Sequence, residues 1–429
     1  MRRLIGGFAL AALAVSGCTG GGTVDDEGSG EDFAPAPPPA VELSLLGDAE
    51  QPVRLGVVVT SLGARGEGAE FAALAAGARV AEFRLDEGDD DRVELEVVDD
   101  RGTPEGAAAA TRQLLDSGVA GIVYASAGPH LDAALPLAAA ADTAVLLPYD
   151  VRDGGTGEAA WRTGPSAAQV TGRITDLLAD RGQRAPLAFT GEGAGEELAA
   201  LAGPALRVPL TAGDALAGQV TAAARPLTDG GADAVVVGAS AETSAETVAA
   251  LQGVAPTLPV VLAPSALAPA FSGRLAELGA GGTATTAGQF FTVGPAVTDS
   301  STEPGVAHFL AAVRLAAQDA AVPALLGAET FGRDGAATAD VRSHDAVLAL
   351  ATAAEQAAST EPGAVLAALR ELELGADDGL AGPELTFGSG QALGEDGVAL
   401  LQATTRGPDR GVEQGAPALS WFVLPADEG

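Results

Sequence analysis

Lysine and asparagine are missing from this chain of 429 residues, which holds one cysteine, two tryptophans and two tyrosines. Each scarcity closes off a chemistry. Without lysine there is neither a P-loop nor a Ser–Lys catalytic pair. A single cysteine forms no intrachain disulfide and has no second thiol for a zinc site. His130, His308 and His344 stand at no metal-ligand spacing, so neither a metal nor another cofactor is expected. The acidic run at 86–92, "DEGDDDR", lacks the EF-hand positions and reads as a solvated loop. "GEGAGE", at 191–196, misses the third glycine of a dinucleotide fingerprint, and no G-x-S-x-G stretch occurs. No catalytic residues stand out, and a non-enzymatic protein is expected.

Cations are also scarce. All 23 basic residues are arginine against 58 acidic ones, for a formal net charge of −35. Nucleic acid is a poor partner for such a chain, because phosphate binding needs basic patches. Alanine, glycine and proline are abundant, the bias of a GC-rich, actinobacterial-type genome, and alanine fills positions where larger side chains could stand. The length exceeds what one core usually serves, so two domains are expected.

The lone thiol has an informative setting. Arg2 and Arg3 precede an apolar run of about a dozen residues, Leu4 to Val15, too short to span a bilayer. Val15-Ser16-Gly17-Cys18 closes that run and resembles the lipobox of bacterial lipoproteins, in which the cysteine carries the lipid. The resemblance implies a signal peptide over 1–18 and a membrane anchor at Cys18. Acyl chains at about 0.8 kcal/mol per buried CH2 would hold it there. Residues 19–51 are rich in Gly, Pro and acid and read as a disordered tether.

From Val53 the pattern alternates. "VRLGVVVT", "VELEVVDD", "GIVYAS" and "AVLLPYD" read as strands, with helices between them. "TPEGAAAATRQLLDSG" has the clearest helix signals: Thr103 to cap, Pro104 at the first position, and Gly118 to stop it. A second series starts near Ser166, with strands "APLAFTG", "ALRVPL", "ADAVVVGAS" and "LPVVLAP" and a helix near 195–203 among those between them. The expected fold is α/β: two doubly wound parallel-sheet lobes joined by a hinge. The boundaries expected are 52–165 for lobe 1, 166–287 for lobe 2, 288–380 for the return to lobe 1, and 381–429 for the rest of lobe 2 and the tail. Phe290 and Phe291 fall on the expected crossover and favour core packing.

Several stretches resemble type I periplasmic binding proteins of the branched-chain amino acid class. They include "RLGVVVTSLGARGEGAEFAALAAGARVA", "LEVVDDRGTPEGAAAATRQLLDSGVAGIVYASAG", "WRTGPSAAQ", "SHDAVLALATAAEQA" and "LAGPELTFGSGQALGEDG". They stand in the family's order over about residues 52–406. The resemblance implies a receptor outside the cell that hands an amino acid or similar small polar solute to an ABC permease. In this lipoprotein form the lipid holds it on the cell membrane.

Ligands of open α/β sheets bind beyond the carboxyl ends of the strands. In the first lobe these ends are Ser126, Ala127 and Gly128, then Tyr149 and Asp150. The backbone amides at 126–128 are expected to open a helix and favour a carboxylate, with Ser126 either touching the ligand or only capping. Tyr149 could stack on an apolar ligand portion and Asp150 could pair with an ammonium; the alternative is a solvated turn. In the second lobe the ends are Ser240 and Ser265, without the aromatic and acid that the family often carries there. A zwitterionic or neutral ligand is expected. The rival is a sensory or envelope-organising lipoprotein that keeps the fold without transport, which the thinned alanine and glycine pocket supports.

Overall fold

The computed structural model describes residues 41–43, 52–60, 68–86, 92–153, 157–191, 198, 201, 206–298, 301–412 and 418–424. The signal peptide, Cys18 and nearly all of the tether lie outside these residues, as do most of the acidic loop and of the helix expected near 195–203.

β1 (Val53–Val59), β2 (Val93–Asp99), β3 (Gly121–Ala125), β4 (Ala144–Leu147) and β5 (Ala160–Arg162) form one parallel sheet in the order β2-β1-β3-β4-β5. Its register places Val57 beside Val97 on one side and Val123 on the other. Successive side chains point to opposite faces, so Val57, Val59 and Val123 join the core under the helix Val341–Ala357. Val58, Ile122 and Tyr124 join a separate core with Leu114 of the helix Pro104–Ser117. Burial on both faces is why β1, β3 and β4 read as largely apolar runs, whereas the edge strand β2 alternates with glutamate. The helix Pro104–Ser117 ends as the sequence predicts: Thr103 Oγ1 accepts from Gly106 N at 3.0 Å, and Gly118 takes a φ of 74°.

The second sheet joins β6 (Pro186–Thr190), β7 (Leu206–Pro209), β8 (Ala234–Gly238), β9 (Val260–Leu262) and β10 (Phe290–Pro295). β13 (Val398–Thr404) and β14 (Ser420–Val423) complete it, in the order β14-β13-β10-β9-β8-β6-β7. β13 and β14 run antiparallel at one edge, the rest parallel. A small ribbon pairs β11 (Glu373–Leu374) with β12 (Leu385–Thr386). Phe290 and Phe291 are buried, as expected, but on a strand of the second sheet instead of a crossover. The crossover comes after Pro295, because the helix Pro269–Ala280 completes one more β–α–β step first.

The chain leaves the first sheet after Arg162, returns after Pro295 to the helix Pro304–Gln318, and passes over again before Val398. These three passages are bonded side by side. Arg162 N donates to Gly390 O at 2.9 Å, Ala392 N to Arg162 O at 2.8 Å, and Ala296 N to Gly397 O at 2.7 Å. Trp161 Nε1 donates to Phe387 O at 2.8 Å across the same junction.

A buried polar cluster ties the helix Ala76–Leu85 to the helix Val341–Ala357. Arg84 Nη1 lies 2.9 Å from His344 Nε2. Arginine can only donate, so Nε2 accepts, and Nδ1 carries the proton given to Asp345 Oδ1 at 2.7 Å. Asp345 also accepts from Ala381 N and Gly382 N at 2.9 and 2.7 Å. Burial pushes the Arg84 guanidinium down to about 10 against the pull of Asp345. The His344 imidazole is lowered first by burial and further by the Arg84 charge, despite its bond to Asp345.

Candidate functional site

In the first lobe the ends of β1, β2 and β3 deliver Thr60, Asp100 and Ser126 to one point, and all three side chains are fully buried. Thr60 Oγ1 donates to Asp100 Oδ1 at 2.6 Å and lies 2.7 Å from Ser126 Oγ. His130 Nε2 stands 3.1 Å from Asp100 Oδ2 and 3.2 Å from Ser126 Oγ. The residue types are those of a hydrolytic triad, but the geometry is not. One ring nitrogen faces both the acid and the hydroxyl, while His130 Nδ1 is buried with no hydrogen-bond partner. A triad needs the two on opposite nitrogens and an exposed nucleophile.

Ser126 therefore spends its hydroxyl inside the lobe. Ala127 is half-buried beside it, and Gly128, with φ 128°, leads into a 3-10 turn, Pro129–Ala133. The sequence predicts a helix near 130–141; the structure has that turn and then a short helix, Leu135–Ala140, with Pro129 and Pro136 removing amide donors. So short a turn aligns few peptide dipoles, and the anion-favouring field expected at 126–128 is weak.

Tyr149 is buried, with an aromatic ring and a guanidinium packed on it. Phe71 stacks on it at 5.1 Å with the planes 9° apart, and the Arg342 guanidinium lies 4.4 Å from its centroid. Its hydroxyl donates to Asp340 Oδ1 at 3.2 Å. Burial, followed by the Asp340 charge, pushes the phenol well above its ordinary range. Asp340 also caps the helix Val341–Ala357 through Arg342 N and accepts from Arg342 Nε at 3.0 Å. Asp150, buried, accepts two bonds from the Arg152 guanidinium, at 2.9 and 2.7 Å, so its charge is already matched.

The second-lobe ends are sparser. Ser240 caps the helix Ala241–Gln252, accepting from Thr243 N and donating to Thr243 Oγ1 at 3.0 Å. Ser265 donates to Ala239 O at 2.6 Å, and Ser244 donates to the same carbonyl at 3.2 Å. A bond joins these ends to the first lobe: Ala241 N donates to Glu70 Oε2 at 3.1 Å.

A cavity of about 310 Å³ opens elsewhere between the lobes, and none of the ligand residues expected from the sequence lines it. Its walls include Leu267 and Pro295 of the second lobe, Asp340 and Arg342 of the first, and Arg410 and Trp421 from the C-terminal segment. Arg410 Nη1 donates to Ala336 O and Ala339 O at 3.2 and 2.7 Å, and burial lowers its guanidinium to about 10. Sequence reasoning missed Glu70, Asp340 and Arg342. A hint for the last two was an aspartate placed to cap a long helix, in "ADVRSHD".

Among the described residues, no group of three His, Cys, Asp or Glu side chains could hold a metal, and no helix is long and apolar enough to cross a membrane. Two open α/β sheets joined by three adjacent passages make up the bilobal fold of type I periplasmic binding proteins. The chain belongs to the periplasmic binding protein family, whose profile matches residues 52–408. The fold is shared with the branched-chain amino acid substrate-binding protein LivJ of Streptococcus pneumoniae, solved with isoleucine. The TM-score is 0.64 at 16% identity, covering 87% of this chain and 99% of that one. A substrate-binding protein of Desulfitobacterium hafniense solved with leucine gives 0.61 at 17% identity, with 87% and 100% covered. The leucine-binding protein LivK of Thermotoga maritima gives 0.60 at 15%, with 87% and 99% covered. A search of curated proteins finds no match.

Proposed function

We propose that this chain is a lipid-anchored, non-catalytic solute-binding protein of an ABC importer, working outside the cell on an amino acid or similar small polar solute. The bilobal architecture of a binding-protein family, with a cavity between its lobes, carries the reading. Titrating the purified protein with amino acids, amides and small acids in a thermal-shift assay tests it. A ligand at 100 times its dissociation constant adds about 2.7 kcal/mol. No shift with any of them counts against it. The anchor is tested by Cys18→Ala, which should release the protein from membranes or leave it unprocessed; normal processing with membrane retention refutes the lipid.

One observation favours the second reading, a sensory or envelope-organising lipoprotein without transport. The hydroxyls and acid of the expected site, Ser126, Asp150, Ser240 and Ser265, are engaged within the protein. Uptake of a solute that fails when the chain is deleted supports the importer role over this one.

A further inference from the structure

Four consecutive residues, Gly68–Phe71, touch both halves of the expected ligand site at once. A Cβ at Gly68 would come within 2.8 Å of the Ala127 amide nitrogen and closer still to the Ser126 hydroxyl. With φ at 88°, this position suits glycine alone. The backbone here therefore rests on the first-lobe turn as closely as a backbone can. Two residues on, the Glu70 carboxylate reaches the second lobe and accepts from Ala241 N, the first amide of a helix of 12 residues. Ser240 serves the third amide, Thr243 N, so Glu70 takes a donor that the cap leaves open. Phe71 then lays its ring flat on Tyr149.

A carboxylate on a helix start and an apolar body on an aromatic face are what an amino-acid-like solute would offer at these places. We propose that Gly68–Phe71 is a built-in occupant of the cleft. The protein closes on its own segment, Glu70 latches the lobes together, and an external solute must displace that carboxylate to use these strand ends. The inference extends the solute-binding reading to its regulation, and the test separates the two.

The test compares wild-type protein with Glu70→Ala and with the nearly isosteric Glu70→Gln, each checked for native circular dichroism. Hydrogen exchange at the start of the helix Ala241–Gln252 and small-angle scattering are the readouts. With the latch, Glu70→Ala exchanges there about tenfold faster and widens the scattering envelope, with a smaller change in Glu70→Gln. Sodium acetate at about 100 mM restores protection to Glu70→Ala alone, standing in for the lost carboxylate. If Glu70→Ala and Glu70→Gln keep wild-type protection and dimensions, the proposal fails. Leucine or isoleucine binding to wild type that leaves this amide protected also overturns the latch, and leaves the solute-binding reading intact. A Glu70→Ala protein that opens, responds to acetate and binds no amino acid upholds the latch and counts against that reading.

Discussion

The carboxyl ends of the strands occupy the same topological place in both lobes but are built from opposite materials. In the first, Thr60, Asp100, Ser126 and His130 come from four separate elements and lock together with scarcely any exposure. In the second, Ala239, Ser240, Ala263 and Ser265 offer small side chains: Ser240 caps its own helix, and Ser265 makes one bond, to Ala239 O at the end of β8. A network that spans four elements fixes their relative positions, whereas a cap fixes one helix and a single bond ties only two elements. The first lobe is thus the more tightly tied of the two, and the second meets Glu70 through backbone, at Ala241 N.

The sharpest way to break this contrast is Asp100→Ala. It strips the acceptor from Thr60 Oγ1, Gly102 N and His130 Nε2 together, leaving buried polar groups without partners. A loss of about 3 kcal/mol or more in urea unfolding is expected; a cost below 1 kcal/mol would put the two lobes on a par.

The first lobe also carries the Arg84–His344–Asp345 cluster, whose effect depends on pH. The folded imidazole resists protonation while the unfolded one binds a proton near 6.5. Stability should therefore be full above about pH 6.5 and fall as pH drops through it. Melting curves from pH 8 to 5 check this, with His344→Gln expected to flatten that portion of the decline.

Second-lobe changes should be milder. Ser240→Ala removes one cap and should cost about 1 kcal/mol in the same urea assay. Ser265→Ala is expected to be smallest, about 0.5 kcal/mol, because Ser244 still donates to Ala239 O. If Ser265→Ala proves the costlier of the two, the view of these ends as locally satisfied is wrong.

The alternation of β-branched runs with capped helices was legible because the central strands of each sheet are buried on both faces and Thr103 and Gly118 mark a helix end to end. β5 escaped notice: three residues of edge strand carry no periodicity. The late crossover is not legible because the stretch "GAGGTATTAG" has no apolar periodicity and only separates one helix from β10. At the site, the residue types were visible but their partners were not. Ser126 announces a hydroxyl, yet what uses it arrives from Thr60 and His130. Glu70 and Ala241 meet across 171 positions, a distance that local patterning does not encode.

The three passages between the lobes, bonded edge to edge, have a mechanical consequence. A ribbon of adjacent strands bends readily across its flat face but resists twist and in-plane shear, because those motions must break the bonds at Arg162–Gly390 and Ala296–Gly397. Any opening of this molecule should then be rotation about one axis, like a book on a stiff spine, and a single distance measured between the two covers should follow the whole movement.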